Sequence, residues 1–229
     1  MLPCWFGAWD PRDPQVEEVL RAGVFLPLKG YDRQGRYGFL VRLAQLSAST
    51  MQAENCFKVF IMMFALIMEG NRQASTKGMC VIVDMEGMTV SHVTMMTPML
   101  LKKLVAVFLE AYPMDNDTLT ERSRLYFLNM PKILEKLFSL FVSFLTKKLR
   151  KTISLQDNNC PVLLADLGEE ILPVEYGGTN SNTRDLTEFW LEEMVRQSAW
   201  LAGEVQYRTD ETARVGKDNL TGRLSCSVM

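Results

Sequence analysis

One histidine, five scattered cysteines, a few carboxylates and one basic run are the side chains from which this chain can build chemistry. His92 is the only histidine, so neither a His-based metal cluster nor a Ser-His-Asp triad can be assembled within the chain. Cys4, Cys56, Cys80, Cys160 and Cys226 are odd in number and form no C-x-x-C pair. They read as thiols of a reducing compartment and not as a disulfide framework. Asp84 and Glu86 close an apolar run and offer metal or acid/base carboxylates at a strand end, although two carboxylates one residue apart are also common at turns. Neither Gly-x-x-x-x-Gly-Lys-Ser/Thr nor Gly-x-Gly-x-x-Gly occurs, so both common nucleotide cradles are missing. The expectation is no catalytic residue, no metal site, no cofactor and no enzyme.

The remaining chemistry is apolar burial and positive charge, and the two are adjacent. At about 100° per residue, Ile133, Leu134, Leu137, Phe138, Leu140, Phe141, Phe144 and Leu145 share one helix face, with Glu135, Lys136, Ser139 and Ser143 opposite. Leaving that face in water costs roughly 1.5–3 kcal/mol per large side chain, about 10–20 kcal/mol in all. The domain, a ligand or a bilayer must cover it. The pattern admits an ordinary helix packed on a sheet and equally a lid that trades protein contact for membrane contact. Lys147, Lys148, Arg150 and Lys151 follow within one half of the helix circumference, with Leu149 opposite. This is the composition of an interfacial segment, or of a solvated helix C-terminus favoured by the dipole. At about 1 kcal/mol per charge near an anionic leaflet, the four give only millimolar-scale attraction. That suits brief visits to a membrane.

The elements that must position these groups alternate in type. Turn residues Asp32–Gly35 lead into a strand over Tyr37–Leu43. Ala53–Met68 is almost continuously apolar and long enough for a helix that is buried or lines a cavity. Gly78–Asp84 and Leu125–Leu128 read as strands, and Thr152–Leu155 as a short one. Thr97-Pro98 supplies an N-cap and a first-turn proline for a helix reaching Tyr112. Further helices are expected over Lys132–Lys151, Pro161–Leu167 and Asp185–Glu204. Before them, Val16, Val19 and Leu20 form one short amphipathic turn. The fold class is α/β, a mostly parallel sheet covered by helices.

With 229 residues, 48% hydrophobic and 23% charged, the chain has the composition of one globular domain. Residues 1–23 read as an N-terminal segment, 24–204 as the domain and 205–229 as a polar tail. A net charge of −2 argues against a nucleic-acid partner. The longest apolar run, Val59–Met68, falls far short of the roughly 18 residues of a membrane span. The first residues lack a secretory signal pattern, so a cytoplasmic monomer is expected. The triplets at Asn116 and Asn219 are then chance matches to a glycosylation site. Fifteen methionines supply adaptable packing or a wall that moulds around an apolar guest.

Gly30-Tyr-Asp-Arg-Gln-Gly-Arg36, Val83-Asp-Met-Glu-Gly87 with Ser91-His92 and Thr97-Pro98, Asn129-Met-Pro131, and Leu172-Pro-Val-Glu-Tyr-Gly-Gly178 together resemble the CRAL-TRIO family of lipid-binding domains. The likeness is to its α-tocopherol-transfer and retinaldehyde-binding branch, insect members above all, and it runs from about Val24 to Trp200. Such relatives begin with a bundle of small helices, of which this chain carries almost none. The resemblance implies a lid after Asn129-Met-Pro131: Ile133, Leu134, Leu137, Phe138, Phe141, Phe144 and Leu145. It implies a pocket walled by Phe57, Phe60, Phe64, Met79, Val83, Met96, Leu104, Val107, Phe108 and Leu125. The guest would be a small hydrophobic, tocopherol-, retinoid- or phospholipid-like lipid. Phe60 and Phe64 stand where some relatives place hydroxyls, which argues against α-tocopherol itself. A phosphatidylinositol bisphosphate site is implied at Lys147, Lys148, Arg150 and Lys151, with Arg122 and Arg124, and hence transient, peripheral contact with membranes, endosomal ones included. A cavity of roughly 300–1,000 Å³, the ordinary ligand-pocket range, should lie between the sheet and the lid.

Two functions fit. One is a carrier that takes a hydrophobic molecule from one membrane and releases it at another. The other is an interaction module or phosphoinositide sensor in which the lipid is a fixed filler.

Overall fold

Short apolar runs closed by turn residues line up as strands, and helices of 3.6-residue apolar period cover them. The computed structural model describes residues 9–46, 53–110, 122–156 and 161–205. Strands β1 (Phe25–Tyr31), β2 (Tyr37–Arg42), β3 (Met79–Asp84), β4 (Arg124–Leu128) and β5 (Ile153–Gln156) lie in that order in one sheet. β1 and β2 are antiparallel and the later neighbours are parallel. The β1–β2 hairpin was not anticipated as such, because Pro27 and Gly30 break the apolar alternation. Pro27 is tolerated there because β1 is an edge strand. The turn between them is held by Asp32, whose buried carboxylate accepts from the backbone of Gln34 and Arg36 at 2.9 and 2.8 Å and pairs with the buried Arg36 guanidinium.

Side chains alternate across the sheet. Phe39, Val81 and Leu125 are register neighbours, as are Val41, Val83 and Phe127, and these point to one face. Helix α2 (Ala53–Gly70) covers that face, with Phe60 edge-on to Phe39 at 5.8 Å. Gly38, Leu40, Cys80, Ile82 and Tyr126 face the other way. There a Cβ on Gly38 would come within 2.6 Å of Ile171, so only glycine permits the approach. The first-turn segment expected near Val16 is a full helix, α1 (Pro14–Ala22), capped by Asp13, and its Val16, Val19 and Leu20 are buried in the main core.

Between β2 and β3 the chain also forms α3 (Arg72–Lys77), and between β3 and β4 it forms α4 (Val90–Met95) and α5 (Pro98–Glu110). α5 is capped through Thr97 Oγ1, which accepts from Leu100 N at 3.2 Å. After β4 comes a 3-10 turn over Lys132–Leu134, then α6 (Glu135–Phe144) and α7 (Lys147–Arg150). The single helix expected over Lys132–Lys151 is therefore broken. Leu145 is extended at φ −81° and ψ 148°, and Thr146 caps α7 by accepting from Leu149 N at 3.3 Å. Thr is a strong N-cap and a middling helix former, so it restarts the helix. The chain continues through α8 (Pro161–Leu167), α9 (Thr183–Arg196) and α10 (Ser198–Glu204). The last two replace the one helix expected over Asp185–Glu204, with the break at Gln197. α9 is tied to the sheet edge by Trp190 Nε1, which donates to Pro27 O at 2.7 Å. Most of the polar tail, residues 206–229, lies outside the described residues.

Candidate functional site

The face of the sheet that α2 covers is wider than α2. Beyond that helix, Met79, Val81 and Val83 of β3 and Leu125 and Phe127 of β4 form the floor of a cavity of about 260 Å³. The volume lies just under the range expected from the sequence. α2 contributes Cys56, Phe57 and Phe60; α4 and the residue after it contribute His92, Met95 and Met96; α5 contributes Leu100, Leu101, Leu104 and Val105. Leu134, Leu137, Phe138, Phe141 and Leu145 form the roof. Phe138 and Phe141 lean on Phe127 with ring centroids 4.9 and 5.9 Å apart, and do not interdigitate with Phe60 and Phe64. A gap therefore remains between the two aromatic groups.

The roof is loosely held. None of the ten residues of α6 is fully buried; Leu137, Phe138, Phe141 and Phe144 are half-covered. At roughly half of the 1.5–3 kcal/mol per side chain that full burial provides, those four contacts contribute about 3–6 kcal/mol, and the buried Leu134 and Leu145 that flank the helix add about as much again. The main core, with Phe39, Phe64 and Ile82 almost completely buried, is a separate cluster that contains none of them.

Few polar atoms reach the cavity, and each already has a partner. His92 Nδ1 accepts from Thr89 N at 3.0 Å, which puts the proton on Nε2, facing Leu46 O at 2.9 Å. Ser123 Oγ accepts from Met79 N at 3.1 Å, and Thr152 Oγ1 donates to Leu149 O at 2.8 Å. Burial pushes the Cys56 thiol up to about 12, so it stays protonated and inert. His92 and Cys56, absent from the wall expected from the sequence, are part of it.

Three separated segments meet at one carboxylate beside the turn from β4 toward α6. Asp84 Oδ1 accepts from Asn129 Nδ2 at 2.9 Å and from Glu86 N at 3.0 Å, while Oδ2 accepts from the Tyr176 hydroxyl at 2.7 Å. Asn129 takes the left-handed conformation at φ 55°, which Asn tolerates better than most residues, and so turns the chain from β4 into Pro131 and the lid. Burial and the hydrogen bond to Asp84 both push the Tyr176 phenol upward. Asp84 thus holds structure together; Glu86 is exposed and takes no part with its side chain in this hub.

Positive charge collects at the opposite, N-terminal edge of the parallel strands. Gln34, Arg36, Lys77, Arg122 and Arg124 surround a second depression of about 420 Å³. β4 opens at Arg124 and its neighbour β5 at Ile153, so the 147–151 segment lies along the same edge. Lys147, Lys148, Arg150 and Lys151 are exposed and Leu149 is buried. Arg150 has a second duty: its guanidinium donates to Leu145 O and Ser143 O at 3.1 Å each, closing the C-terminal end of α6. Arg36 and Lys77 were not singled out from sequence, since only the sheet brings them beside Arg122.

Of the expected wall residues, Phe57, Phe60, Met79, Val83, Met96, Leu104 and Leu125 line the cavity. Phe64 does not; it packs behind Phe60, centroids 5.9 Å apart, in the main core. The side chains of Val107 and Phe108 lie outside the described residues. Of the expected lid residues, Ile133 is exposed and Phe144 packs near Val105, Leu145 and Leu149 instead of entering the cavity.

The profile of the CRAL/TRIO domain matches residues 21–178. Clavesin-2 of Homo sapiens is 24% identical over 173 residues, covering 76% of this chain and 51% of clavesin-2. A Mus musculus protein named alpha-tocopherol transfer protein-like is 24% identical over 169 residues, 73% of this chain and 47% of that one. Clavesin-1 of Mus musculus is 25% identical over 167 residues, 73% and 45% of the two chains. The chain spans about half the length of these curated relatives. Among solved structures, the crystal structure of Sfh5 aligns with a TM-score of 0.49 at 17% identity, covering 76% of this chain and 66% of that one.

Proposed function

The chain belongs to the CRAL/TRIO domain family, and on that premise we propose that it is a carrier of a small hydrophobic molecule between membranes. The observation that carries this reading is the apolar cavity roofed by α6, a helix with no fully buried side chain. A helix held by half-covered side chains opens rarely in water, because its apolar face then has nowhere to go. At a bilayer the same face finds an apolar medium, and the difference between the two environments shifts the equilibrium to the open state. No chemical step is required; pocket shape and lid energetics set the selectivity. The name of one relative mentions α-tocopherol transfer, and carriage of that general kind is what the cavity supports.

The basic edge supplies the membrane address in this proposal. Lys147, Lys148 and Lys151, with Arg122 and Arg124, face an anionic phosphoinositide head group while the neighbouring lid meets the acyl region. Contact is transient, since a few charges at about 1 kcal/mol each hold a protein only briefly. A cytoplasmic protein visiting anionic leaflets fits this behaviour.

Vesicle-to-vesicle transfer of a fluorescent apolar lipid tests the reading. The protein should accelerate transfer when acceptor vesicles contain phosphatidylinositol bisphosphate, and rising salt should weaken the effect. Replacing Lys147, Lys148 and Lys151 together with Ala leaves the Arg150 cap in place. That variant should retain its cargo and lose phosphoinositide-dependent flotation. Transfer no faster than the spontaneous rate would refute carriage and favour an interaction module. Equal flotation of parent and variant would refute the membrane role of this edge.

A further inference from the structure

Resting on the carrier reading, we propose that the guest is a hydrocarbon-like molecule that places no hydroxyl, carbonyl or charged group inside the cavity. Its size follows from the volume. A cavity of ~150 Å³ accommodates benzene, so about 260 Å³ holds on the order of ten to fifteen carbon atoms. Sesquiterpene hydrocarbons and medium-length alkyl chains are of this class. A two-chain phospholipid far exceeds it.

The polarity of the guest follows from the hydrogen-bond accounts of the wall. The described polar side chains lining the cavity are His92, Ser123, Thr152 and Cys56. Both imidazole nitrogens are committed, one to Thr89 and one to Leu46. The Ser123 oxygen is taken by the first amide of β3, and the Thr152 hydroxyl proton by Leu149 O. The Cys56 thiol is a weak donor at best. Turning Ser123 toward a guest would unpair the Met79 amide that starts β3; Thr152, its proton held by Leu149 O, offers a guest only an oxygen lone pair. A buried hydroxyl on the guest would exchange its hydration for a lone pair on a wall hydroxyl at best, and a carbonyl on the guest would find no free strong donor among the described side chains.

Shape is constrained less than polarity. Met79, Met85, Met88, Met95 and Met96 all line the cavity, and their unbranched, polarisable chains adapt to differently branched guests. The expected selectivity is therefore sharp for an added oxygen and shallow for chain branching.

The test uses the full chain, stripped of copurified lipid and loaded with the fluorescent hydrocarbon diphenylhexatriene. Matched pairs differing by one oxygen, farnesene with farnesol and dodecane with dodecanol, compete for the probe. Each hydrocarbon should displace it at least about tenfold better than its alcohol, the consequence of burying one unpaired hydroxyl. Val83→Thr, nearly isosteric and on the cavity floor, adds a hydroxyl to the wall and should bring the alcohol to within about threefold of the hydrocarbon. Alcohols that match or outcompete hydrocarbons in the parent protein would overturn the proposal while leaving carriage intact. So would displacement by dioleoyl phosphatidylcholine at lower concentration than by farnesene. Failure of every hydrocarbon, alcohol and phospholipid to bind would overturn the carrier reading as well.

Discussion

Placing a charge under the lid by Phe141→Asp separates a moving roof from a fixed one. Phe141 is half-buried, lines the cavity and stacks against Phe127 at 5.9 Å and Phe138 at 6.2 Å. Losing half of a buried aromatic side chain costs about 1–1.5 kcal/mol, and losing its ring contacts about 0.5–1.5 kcal/mol more. A carboxylate left in the closed cavity without a partner adds several kcal/mol, unless the helix lifts and hydrates it. The four α6 contacts contribute about 3–6 kcal/mol, and the buried Leu134 and Leu145 at the ends of the helix about as much again. A loss of about 2 kcal/mol from contacts alone raises the open fraction roughly thirtyfold, and the charge raises it further. The main core, from Trp9 to Leu201, contains no α6 side chain. The assay pairs thermal unfolding with stopped-flow release of a fluorescent guest. Release should quicken by at least an order of magnitude with a small change in melting temperature. Phe64→Ala is the control, since Phe64 is almost wholly buried behind the cavity; it should cost about 3–5 kcal/mol of stability with unchanged release from the folded fraction. Stability loss of similar size in both variants, with release unchanged in both, would refute the lid.

Tyr176→Phe removes the 2.7 Å hydrogen bond to Asp84. It should cost about 1.5–2 kcal/mol in chemical denaturation, the lower part of the range for a charged acceptor, and should quicken guest release by loosening the turn into the lid. Glu175 is subject to burial, which pushes its carboxyl upward, but hydrogen bonds from Thr183 N and Oγ1 at 2.8 and 2.7 Å outweigh that and hold it below the usual range. Its contribution is therefore present above the ordinary carboxylate pKa and is lost as pH falls through the lowered value. Melting curves across that acid range should lose stability more steeply in the parent than in Glu175→Gln. Burial pushes the Cys56 and Cys80 thiols up to about 12, which leaves about a thousandfold less thiolate at neutral pH than a free cysteine has. Pulsed alkylation read by mass spectrometry should leave both unmodified until the protein unfolds.

Much of the architecture was legible because it rests on local signals. The runs at Met79–Asp84 and Leu125–Leu128 end at polar residues, and Thr97-Pro98 announces α5, so the parallel sheet and its helical cover follow. β1 was not, because Pro27 and Gly30 erase the period-2 pattern that marks a strand. The break at Leu145–Thr146 escaped notice for a related reason: the apolar spacing runs straight through it, and only the Thr146 cap and the Arg150 guanidinium, bound back to Leu145 and Ser143, end one helix and begin the next. At the site, apolar wall residues such as Phe60, Met79 and Leu125 could be named in advance, since they sit on patterned elements. Phe64, four residues from Phe60 on the same helix, points into solid core, and periodicity alone does not tell one inward-facing phenylalanine from the other. The hub at Asp84 lay furthest from view. Asp84, Asn129 and Tyr176 each belong to a recognisable segment, yet their shared hydrogen bonds span 45 and 92 residues. The basic edge is similar: Arg36, Lys77 and Arg122 become neighbours only when three parallel strands start at one level.

Native mass spectrometry of the purified chain, before and after incubation with lipid vesicles, bears most directly on the claim that α6 roofs an exchangeable guest site. The purified protein should carry one small apolar molecule and swap it for a labelled one supplied in the vesicles. Phe141→Asp should arrive with lower occupancy. A chain that is empty before and after incubation, or one whose guest never exchanges, would contradict it.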